Sequence, residues 1–270
     1  MVGSTDGGLD QFIRADRDRT LSLVVVNLDQ PEQVRRMIDG VFEDQPVDVS
    51  TRSREEDGRD RLLLVEDGEV VAETPLRQFL NTYLLVNSDT YKTSRDQLNS
   101  LRLPDVLTEL DETVFTVRGY PKADKEKLLL ILLSRHVEQL AWEAAGGTLR
   151  SGFQYLSRLA DERGTSDVYR QLAGTDVETH VYGVPDSPET VPNGVVSHPG
   201  DSSAYRDSWF VVFDPEDGES ASAGREAGDG ARSDPAALVA TRIDGQTWRG
   251  LWTYDPDRVA AIDEYLRSEL

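Results

Sequence analysis

The amino-acid sequence predicts an α+β fold: an antiparallel sheet of about five strands in the C-terminal half, packed on helices and preceded by a smaller α/β N-terminal portion. Three observations predict it. Segments with the patterns of strands and helices alternate over residues 20–119. The longest helical pattern, residues 122–143, contains the apolar run LLLILL. From Asp176 onward the apolar residues instead repeat with the period of two that is typical of strands.

The N-terminal portion begins with a polar, glycine-rich segment, residues 1–19, which we expect to be a flexible tail. A β-branched run from Leu21 predicts the first strand, and Pro31 suits the first turn of the helix after it. Two apolar runs flank Asp67-Gly68, a pair that favours a tight hairpin turn. Shorter patterns predict a strand at 46–51, a loop at 52–60, helices at 75–86 and 104–110, and a strand at 113–120.

The middle of the chain is predicted to be mainly helical. Residues 122–143 form a long apolar helix whose apolar face is wider than one stripe, so we expect it to be covered by the fold or by a partner subunit. Residues 148–174 predict a short strand or turn and then two helices broken at Gly164. Arg150, Gln154 and Arg158 are four residues apart and, if helical, form one polar stripe that could contact an anionic ligand or a solvated surface.

The C-terminal part is predicted to contain the sheet. Five segments have strand periodicity, at 176–184, 194–200, 208–214, 236–243 and 247–255. A low-complexity acidic insertion at 215–235 predicts a flexible loop. Asp255 is the expected N-cap of a last helix that starts at Pro256 and buries Val259, Ile262 and Leu266. We therefore divide the chain into a tail (1–19), an N-terminal portion (20–119) and a C-terminal domain (120–270).

The composition is strongly acidic, with 50 Asp and Glu against 29 Lys and Arg and a formal net charge of −21. The charge is spread along the chain, which favours a cytoplasmic protein of a high-salt organism over a nucleic-acid mimic or an acidic tail. No basic stripe could neutralise phosphates, so direct nucleic-acid binding is not expected. The absence of cysteine excludes disulfides and cysteine-bound metals. There is neither an apolar run of 18 residues nor a signal-peptide pattern, so no membrane association is expected.

No nucleotide-binding or catalytic motif is found, and the chain contains three histidines. His180 and His198 could approach each other if their strands pair, and with Asp207 could hold a metal. Their spacing fits no ligand motif, however, and no metal site or cofactor is assigned. His136 lies inside the long helix, where it is either hydrogen-bonded to a neighbour or sensitive to pH.

Aromatic residues are concentrated on the predicted C-terminal strands. They could converge on one face of the sheet, either as core or as the floor of a ligand-holding concavity. Trp248, Trp252 and Tyr254 alternate and must share one face of their strand. The candidate ligand-binding residues are Arg150, Gln154, Arg158, His180, Tyr182, Trp209, Trp248 and Trp252.

Several stretches in order resemble one known family. These are KEKLLLILLSRHVEQLAWEA, GFQYLSRL, VYRQLAGTDVETHVYGVPD, RDSWFVVFD and ALVATRI. Together they resemble the DICT sensory domain, named for diguanylate cyclases and two-component systems. The resemblance covers about half of the chain, and the first 110 residues resemble only in a general way haloarchaeal relatives in which this domain stands nearly alone. The resemblance implies a cytoplasmic signal-input module, linked in some proposals to light, without established ligand or catalytic residues.

Three functional hypotheses follow. The first is a non-enzymatic sensor that binds a small molecule or responds to light and signals through a partner protein, or through a homodimer formed by helix 122–143. The second is a ligand-free interaction or scaffold module. The third is an enzyme acting on small substrates through His180, His198 and carboxylates.

Overall fold

The structure is a computed structural model that describes residues 8–15, 19–26, 32–42, 45–52, 60–87, 102–118, 127–161, 163–187, 191–215, 234–245 and 247–270. Its strands are β1 (Leu21–Val26), β2 (Asp48–Arg52), β3 (Arg61–Glu66), β4 (Glu69–Pro75), β5 (Phe115–Arg118), β6 (Thr148–Tyr155), β7 (Glu178–Val184), β8 (Val195–Pro199), β9 (Ser208–Asp214), β10 (Ala236–Arg242) and β11 (Thr247–Thr253). Its α-helices are α1 (Glu32–Phe42), α2 (Leu76–Asn87), α3 (Asp105–Thr108), α4 (Lys127–Ala144), α5 (Ser157–Asp161), α6 (Arg163–Leu172), α7 (Ser203–Arg206) and α8 (Pro256–Glu269).

The described strands form two sheets, so the α+β class is confirmed, but the size of the main sheet is not. The smaller sheet has the order β2-β1-β3-β4, and the larger has seven strands in the order β5-β11-β10-β9-β6-β7-β8. The prediction of about five antiparallel strands was wrong because β6 and β5 also join the sheet. The β6–β7 and β7–β8 pairs are parallel. Helices α5 and α6 lie between β6 and β7 in the chain, and such a crossover joins parallel neighbours.

The smaller sheet follows the sequence pattern closely. Strands β1 and β2 are parallel and are joined through α1, whereas β3 and β4 form an antiparallel hairpin. Both residues of the hairpin turn have positive φ, 50° at Asp67 and 93° at Gly68. A type I′ turn needs this geometry, which glycine adopts without strain, so the predicted turn is confirmed. The predicted loop at 52–60 lies mostly outside the described residues.

Helix α4 differs from the long apolar helix that was predicted over residues 122–143. It has 18 residues, and its buried side chains include polar ones. These are Ser134, Arg135, Glu138 and Gln139. Residues 122–126 lie outside the described part of the chain. Among the described side chains of α4 no large apolar one is exposed, because the chain covers them itself.

The core has one part on each side of the larger sheet. On one side, Leu130 and Leu133 of α4 pack with Trp248 and Trp252, in a cluster that continues into the smaller sheet. On the other side, the predicted buried face of α8 (Val259, Ile262 and Leu266) packs on the sheet. The predicted cap is confirmed, since Asp255 Oδ1 accepts a hydrogen bond of 2.8 Å from the Arg258 backbone N–H.

Part of the predicted tail also belongs to this second side. Residues Leu9–Phe12 form a 3-10 helix, and Leu9 and Ile13 are buried beside α8. The flexibility of residues 1–19 stays a prediction, although in this stretch apolar side chains are buried. Residues 1–7 and 16–18, and residues 216–233 of the predicted acidic loop, lie outside the described residues.

Specific polar contacts join the two sheets. Arg19 pairs with Glu66 at 2.8 Å and donates to the carbonyl oxygen of Asp111, also at 2.8 Å. The side-chain amide of Gln45 makes two hydrogen bonds to the backbone of Thr116 on the edge strand β5, donating to its oxygen and accepting from its nitrogen. The division of the chain at residue 120 stays a prediction. In the described part of the chain, no helix has the length and apolarity needed to span a bilayer.

Candidate functional site

A small cavity lies between α4 and the face of β6 that is turned toward it. Its volume is about 70 Å³. Typical sites for drug-sized ligands have roughly 300–1,000 Å³, so only a small group fits inside. The lining residues come from α4, β6, β9 and the two helices after β6. They are Ile131, Ser134, Arg135, Glu138, Ser151, Gly152, Phe153, Gln154, Arg158, Thr165, Trp209 and Val211.

An irregularity in β6 shapes one wall of the cavity. The register with β7 shifts between Gly152 and Tyr155, and Gln154 has a φ of 53°. Gly152 is required here because a Cβ would lie 2.5 Å from the ring of Phe210. A non-glycine residue in the left-handed region costs free energy, and such residues are enriched at functional sites.

Gln154 uses this conformation to connect two neighbouring elements. Its side chain is 2% exposed, and its Nε2 donates to the carbonyl oxygen of Ser208 at the start of β9. Its Oε1 accepts from Nη1 of Arg158 on α5. The guanidinium of Arg158 also lies 5.8 Å from the ring centre of Tyr155. Gln154 therefore holds Arg158 at the rim of the cavity.

A buried ion pair on α4 forms the opposite wall. Arg135 pairs through Nη1 with Glu138 and donates from Nη2 to Thr165 Oγ1 at 2.6 Å. Tyr169 donates its hydroxyl hydrogen to Glu138 at 3.1 Å. Burial, and then the charge of Glu138, raise the pKa of Tyr169 well above its usual value, so the hydroxyl stays a donor. Helix α4 is thereby connected to α6.

Two further side chains complete the cavity. Trp209 donates its indole N–H to Ser134 Oγ at 2.9 Å, which joins β9 to α4. Ser151 is 1% exposed, and within the described structure its Oγ makes no well-aligned hydrogen bond, although the Tyr169 hydroxyl lies near enough to accept one from it. A buried hydroxyl without a partner is costly, and such groups need an explanation in a native structure.

His136 lies on α4, next to this wall. Its Nε2 is 2.9 Å from the hydroxyl oxygen of Tyr254, and the two rings meet edge to face. Burial lowers the pKa of His136 to about 4, against an opposing contribution from Glu143. The imidazole is therefore neutral near pH 7, and its Nε2 can accept a hydrogen bond from the Tyr254 hydroxyl. This confirms the hydrogen-bonded alternative.

The face of β6 turned toward α8 carries a different polar network. Arg150 pairs with Asp263 of α8 at 2.6 Å and donates to the hydroxyl of Tyr182 at 3.2 Å. Burial opposes the charge of Arg150, but Asp263 outweighs it, so the pKa of the guanidinium is raised. The ring of Tyr182 stacks on that of His198 with centroids 4.4 Å apart. This network attaches the last helix to the sheet.

The two strand histidines do approach each other, as predicted for paired strands. His180 Nδ1 lies 2.9 Å from His198 Nε2, and Glu178 lies 3.3 Å from the other side of the His180 ring. Burial and then the charge of Arg150 lower the pKa of both histidines. Asp207 instead pairs with Arg242 at 3.4 Å. Among the described residues no group of three or more potential ligands could hold a metal.

The structure separates the eight predicted ligand-binding residues into three places. Gln154, Arg158 and Trp209 line the cavity. Arg150, His180 and Tyr182 belong to the network on the other face of the sheet. Trp248 and Trp252 are core, with Trp248 under the guanidinium of Arg242 at 5.1 Å. Of the aromatic set, Trp209, Trp248, Trp252 and Tyr254 lie on the face turned toward α4, as predicted, whereas Tyr182 lies on the opposite face.

The prediction that Arg150, Gln154 and Arg158 form one stripe on a helix was wrong. Arg150 and Gln154 lie on β6, and only Arg158 lies on a helix. Sequence reasoning also missed Arg135, Glu138, Ser151 and Thr165. Two charged residues three apart inside an apolar helical run are a signal that could have identified Arg135 and Glu138.

Comparison with known proteins supports the resemblance for part of the chain. Residues 105–226 match the family model of DICT, the sensory domain in diguanylate cyclases and two-component systems. This segment covers less than half of the chain and contains every residue that lines the cavity. No curated protein matches the chain.

Among solved structures, polyphosphate kinase from Porphyromonas gingivalis aligns with 11% sequence identity and a TM-score of 0.34. The alignment covers 88% of this chain and 34% of the kinase, so the chain spans about a third of the kinase's length. Similarity this low carries no argument about function.

Proposed function

We propose that this chain is a non-enzymatic, cytoplasmic sensory protein that binds a small molecule in the cavity between α4 and β6. The family match supports a sensing role, because DICT is a sensory domain of signalling proteins. The observation that carries the proposal is the location of the cavity. Its wall on α4 is a buried ion pair, and the same helix also packs against the N-terminal part of the chain.

Helix α4 is the element through which a signal passes. Near the cavity it carries Arg135 and Glu138, and one turn earlier it places Leu130 and Leu132 in the cluster shared with α2 and the smaller sheet. A ligand that contacts the polar wall differently in two packings of α4 shifts the balance between them. The N-terminal portion then presents the change to a partner protein. Since the apolar side chains of α4 described here are covered, the partner contacts another surface.

The composition of the cavity supports binding over catalysis. Its hydroxyl groups are those of Ser134, Ser151 and Thr165, and none of the described lining residues is a histidine. The carboxylate of Glu138 is already engaged by Arg135 and Tyr169. A serine or threonine nucleophile needs an available base within hydrogen-bond reach. The volume also favours a small metabolite over a chromophore for light.

A ligand screen tests this proposal. Metabolites, nucleotides, flavins and tetrapyrroles are added in high salt, and the melting temperature is measured for the wild type and two matched variants. Thr165→Val removes the hydroxyl that Arg135 contacts, whereas Thr179→Val changes a buried threonine bonded locally to the Val177 carbonyl. We expect a stabilising compound whose effect is reduced in Thr165→Val and kept in Thr179→Val. A colourless protein that no compound stabilises contradicts the proposal, as does an equal response in both variants.

We also propose that the protein works in a high-salt cytoplasm, as its net charge of −21 suggests. Salt screens the repulsion among exposed carboxylates, because the Debye length falls from ~10 Å at 0.1 M to ~3 Å at 1 M. The melting temperature is expected to rise with potassium chloride up to molar concentrations. A constant or falling melting temperature across this range contradicts the proposed habitat.

A further inference from the structure

We propose that the ligand of this cavity carries an anionic group, a carboxylate or a phosphate, which pairs with Arg158 and accepts a hydrogen bond from Ser151. This inference rests on the proposed function and adds the chemical class of the ligand. It also assigns the two side chains that recognise it.

The contacts of Arg158 supply the first argument. Its guanidinium lines the cavity, donates to the neutral amide oxygen of Gln154 and lies near the ring of Tyr155. Within the described structure no carboxylate lies at ion-pair distance from it. The nearby Asp186 accepts two hydrogen bonds from Ser157, at 3.0 and 2.7 Å. Asp186 feels the charge of Arg158 only at longer range, so this half-buried guanidinium has no direct carboxylate partner in a chain with 50 acidic and 29 basic residues.

Ser151 supplies the second, independent argument. It lies on β6 and lines the cavity, and its side chain is almost completely buried. In the part of the chain that is described its Oγ makes no well-aligned hydrogen bond, although the Tyr169 hydroxyl lies near enough to accept from it. Buried polar groups in native proteins nearly always have a well-aligned partner. An oxygen of a bound carboxylate or phosphate would accept a hydrogen bond from this hydroxyl and supply that partner.

The charge of the lining selects an anion. Among the described lining residues the charged ones are Arg135, Glu138 and Arg158. The first two pair with each other. The charge of Arg158 remains, and arginine is suited to carboxylates and phosphates because its planar donors match two oxygens. Asp186 compensates that charge only from a distance, whereas an anionic ligand would pair with it directly.

The cavity is large enough for the anionic group but not for a nucleotide. Beside the polar groups lie the apolar side chains of Ile131, Phe153, Trp209 and Val211, which suit an adjoining hydrocarbon or aromatic part. The ligand class is therefore a small organic acid or a small phosphorylated metabolite. Free inorganic phosphate shares the same recognition chemistry.

Anion titrations at constant ionic strength distinguish an organic acid from a phosphorylated metabolite or free phosphate as the ligand. Inorganic phosphate, acetate and benzoate each replace chloride, and binding is followed by tryptophan fluorescence and by calorimetry. Trp209 lines the cavity and is expected to report occupancy. The variants are Arg158→Gln, Arg158→Lys and Ser151→Ala. Arg170→Gln is the matched control, since Arg170 is an exposed arginine on α6 that pairs with Asp167.

We expect saturable binding of at least one anion. Arg158→Gln should weaken it about ten- to a hundredfold, as expected for the loss of a charged hydrogen bond. Arg158→Lys should lose less, and Ser151→Ala should weaken binding severalfold. Arg170→Gln should bind as the wild type does. Preference for benzoate over acetate supports an organic acid, and preference for phosphate supports a phosphorylated ligand.

The inference is overturned if none of the three anions binds, or if Arg158→Gln binds them as tightly as the wild type. It can fail while the sensory function stands. A neutral compound that stabilises the wild type, loses its effect in Thr165→Val and keeps it in Arg158→Gln would confirm the cavity and exclude the anionic class.

Discussion

On the face of β6 turned toward α8, Arg150 is paired with Asp263 and Tyr182, and no room is left beside Gly152. On the face turned toward α4, the next residue, Ser151, makes no well-aligned hydrogen bond, although the Tyr169 hydroxyl lies near it, and a cavity lies beside it. The same strand thus carries a paired polar network on one side and a polar group next to a cavity on the other. The first side stabilises the fold, and the second is where we propose that a ligand binds.

Removing the carboxylate of Asp263 has the largest expected effect and tests whether the network on the α8 face of β6 stabilises the fold. In Asp263→Ala, the buried guanidinium of Arg150 loses its carboxylate partner, and the free energy of unfolding should fall by about 3–5 kcal/mol. Chemical denaturation in high salt measures the change. The neighbouring exposed Glu264→Ala is the control and should change stability by less than about 0.5 kcal/mol. A similarly small loss in Asp263→Ala would show that the network does not hold α8.

A single methyl group tests how tightly the α8 side is packed. Gly152→Ala places a Cβ 2.5 Å from the Phe210 ring, so the ring must move, and we expect a loss of about 1–3 kcal/mol. Unfolding curves of Gly152→Ala and of the double variant with Phe210→Leu measure it. The smaller leucine should restore part of the loss. If Gly152→Ala alone is as stable as the wild type, the two faces are not packed differently.

The pH dependence of stability probes the α4 side. The pKa of His136 is about 4 in the folded protein and 6.5 in the unfolded chain, so the unfolded state takes up the proton first. The stability that neutral His136 provides is complete above about pH 6.5 and is lost as the pH falls toward 4. Between pH 7 and pH 5 the wild type should lose about 1–2 kcal/mol more than His136→Gln.

Denaturation at several pH values compares the two proteins directly. Because His180, His198 and the carboxylates titrate in both, the difference isolates His136. Identical pH profiles would mean that the imidazole is not held neutral by burial against Tyr254.

The smallest expected change in stability, that of Ser151→Ala, is the most specific test of the difference between the two faces of β6. Ser151→Ala removes a hydroxyl that makes no well-aligned hydrogen bond, although Tyr169 lies near it, and the free energy of unfolding should stay within about 0.5 kcal/mol of the wild type or rise. The matched control is Ser208→Ala. Its buried hydroxyl donates to the Ala204 carbonyl, so this variant should lose about 1 kcal/mol. Thermal and chemical unfolding without added ligand measure both. A larger loss in Ser151→Ala would show that this hydroxyl stabilises the empty protein.

Much of the fold could be predicted from local patterns. The β-branched run of β1, the Asp67-Gly68 turn and the Asp255-Pro256 helix start each act through neighbours in the chain, and each was correct. Strand β6 could not be predicted as fully. It carries Arg150, Gly152 and Gln154 at alternate positions, where a central strand is usually apolar.

Only part of the candidate site could be predicted, because its polar groups are paired with residues that are distant in the sequence. Arg150 is satisfied by Asp263, which lies 113 residues away, and Arg135 is satisfied partly by Thr165 on another helix. Such contacts leave no periodic signal in the sequence. Gln154 and Arg158 were identified through their spacing of four, although the helix inferred from that spacing was wrong.

The contact between Gln45 and Thr116 has a consequence for how two molecules could associate. An amide that takes both backbone groups of an edge residue occupies the positions that an incoming chain would use. Among the described strands, the larger sheet is therefore blocked at its β5 end, and its other edge strand is β8. Two copies that joined through this sheet would pair their β8 edges with each other. Such association would stop at a dimer and could not continue into a fibre.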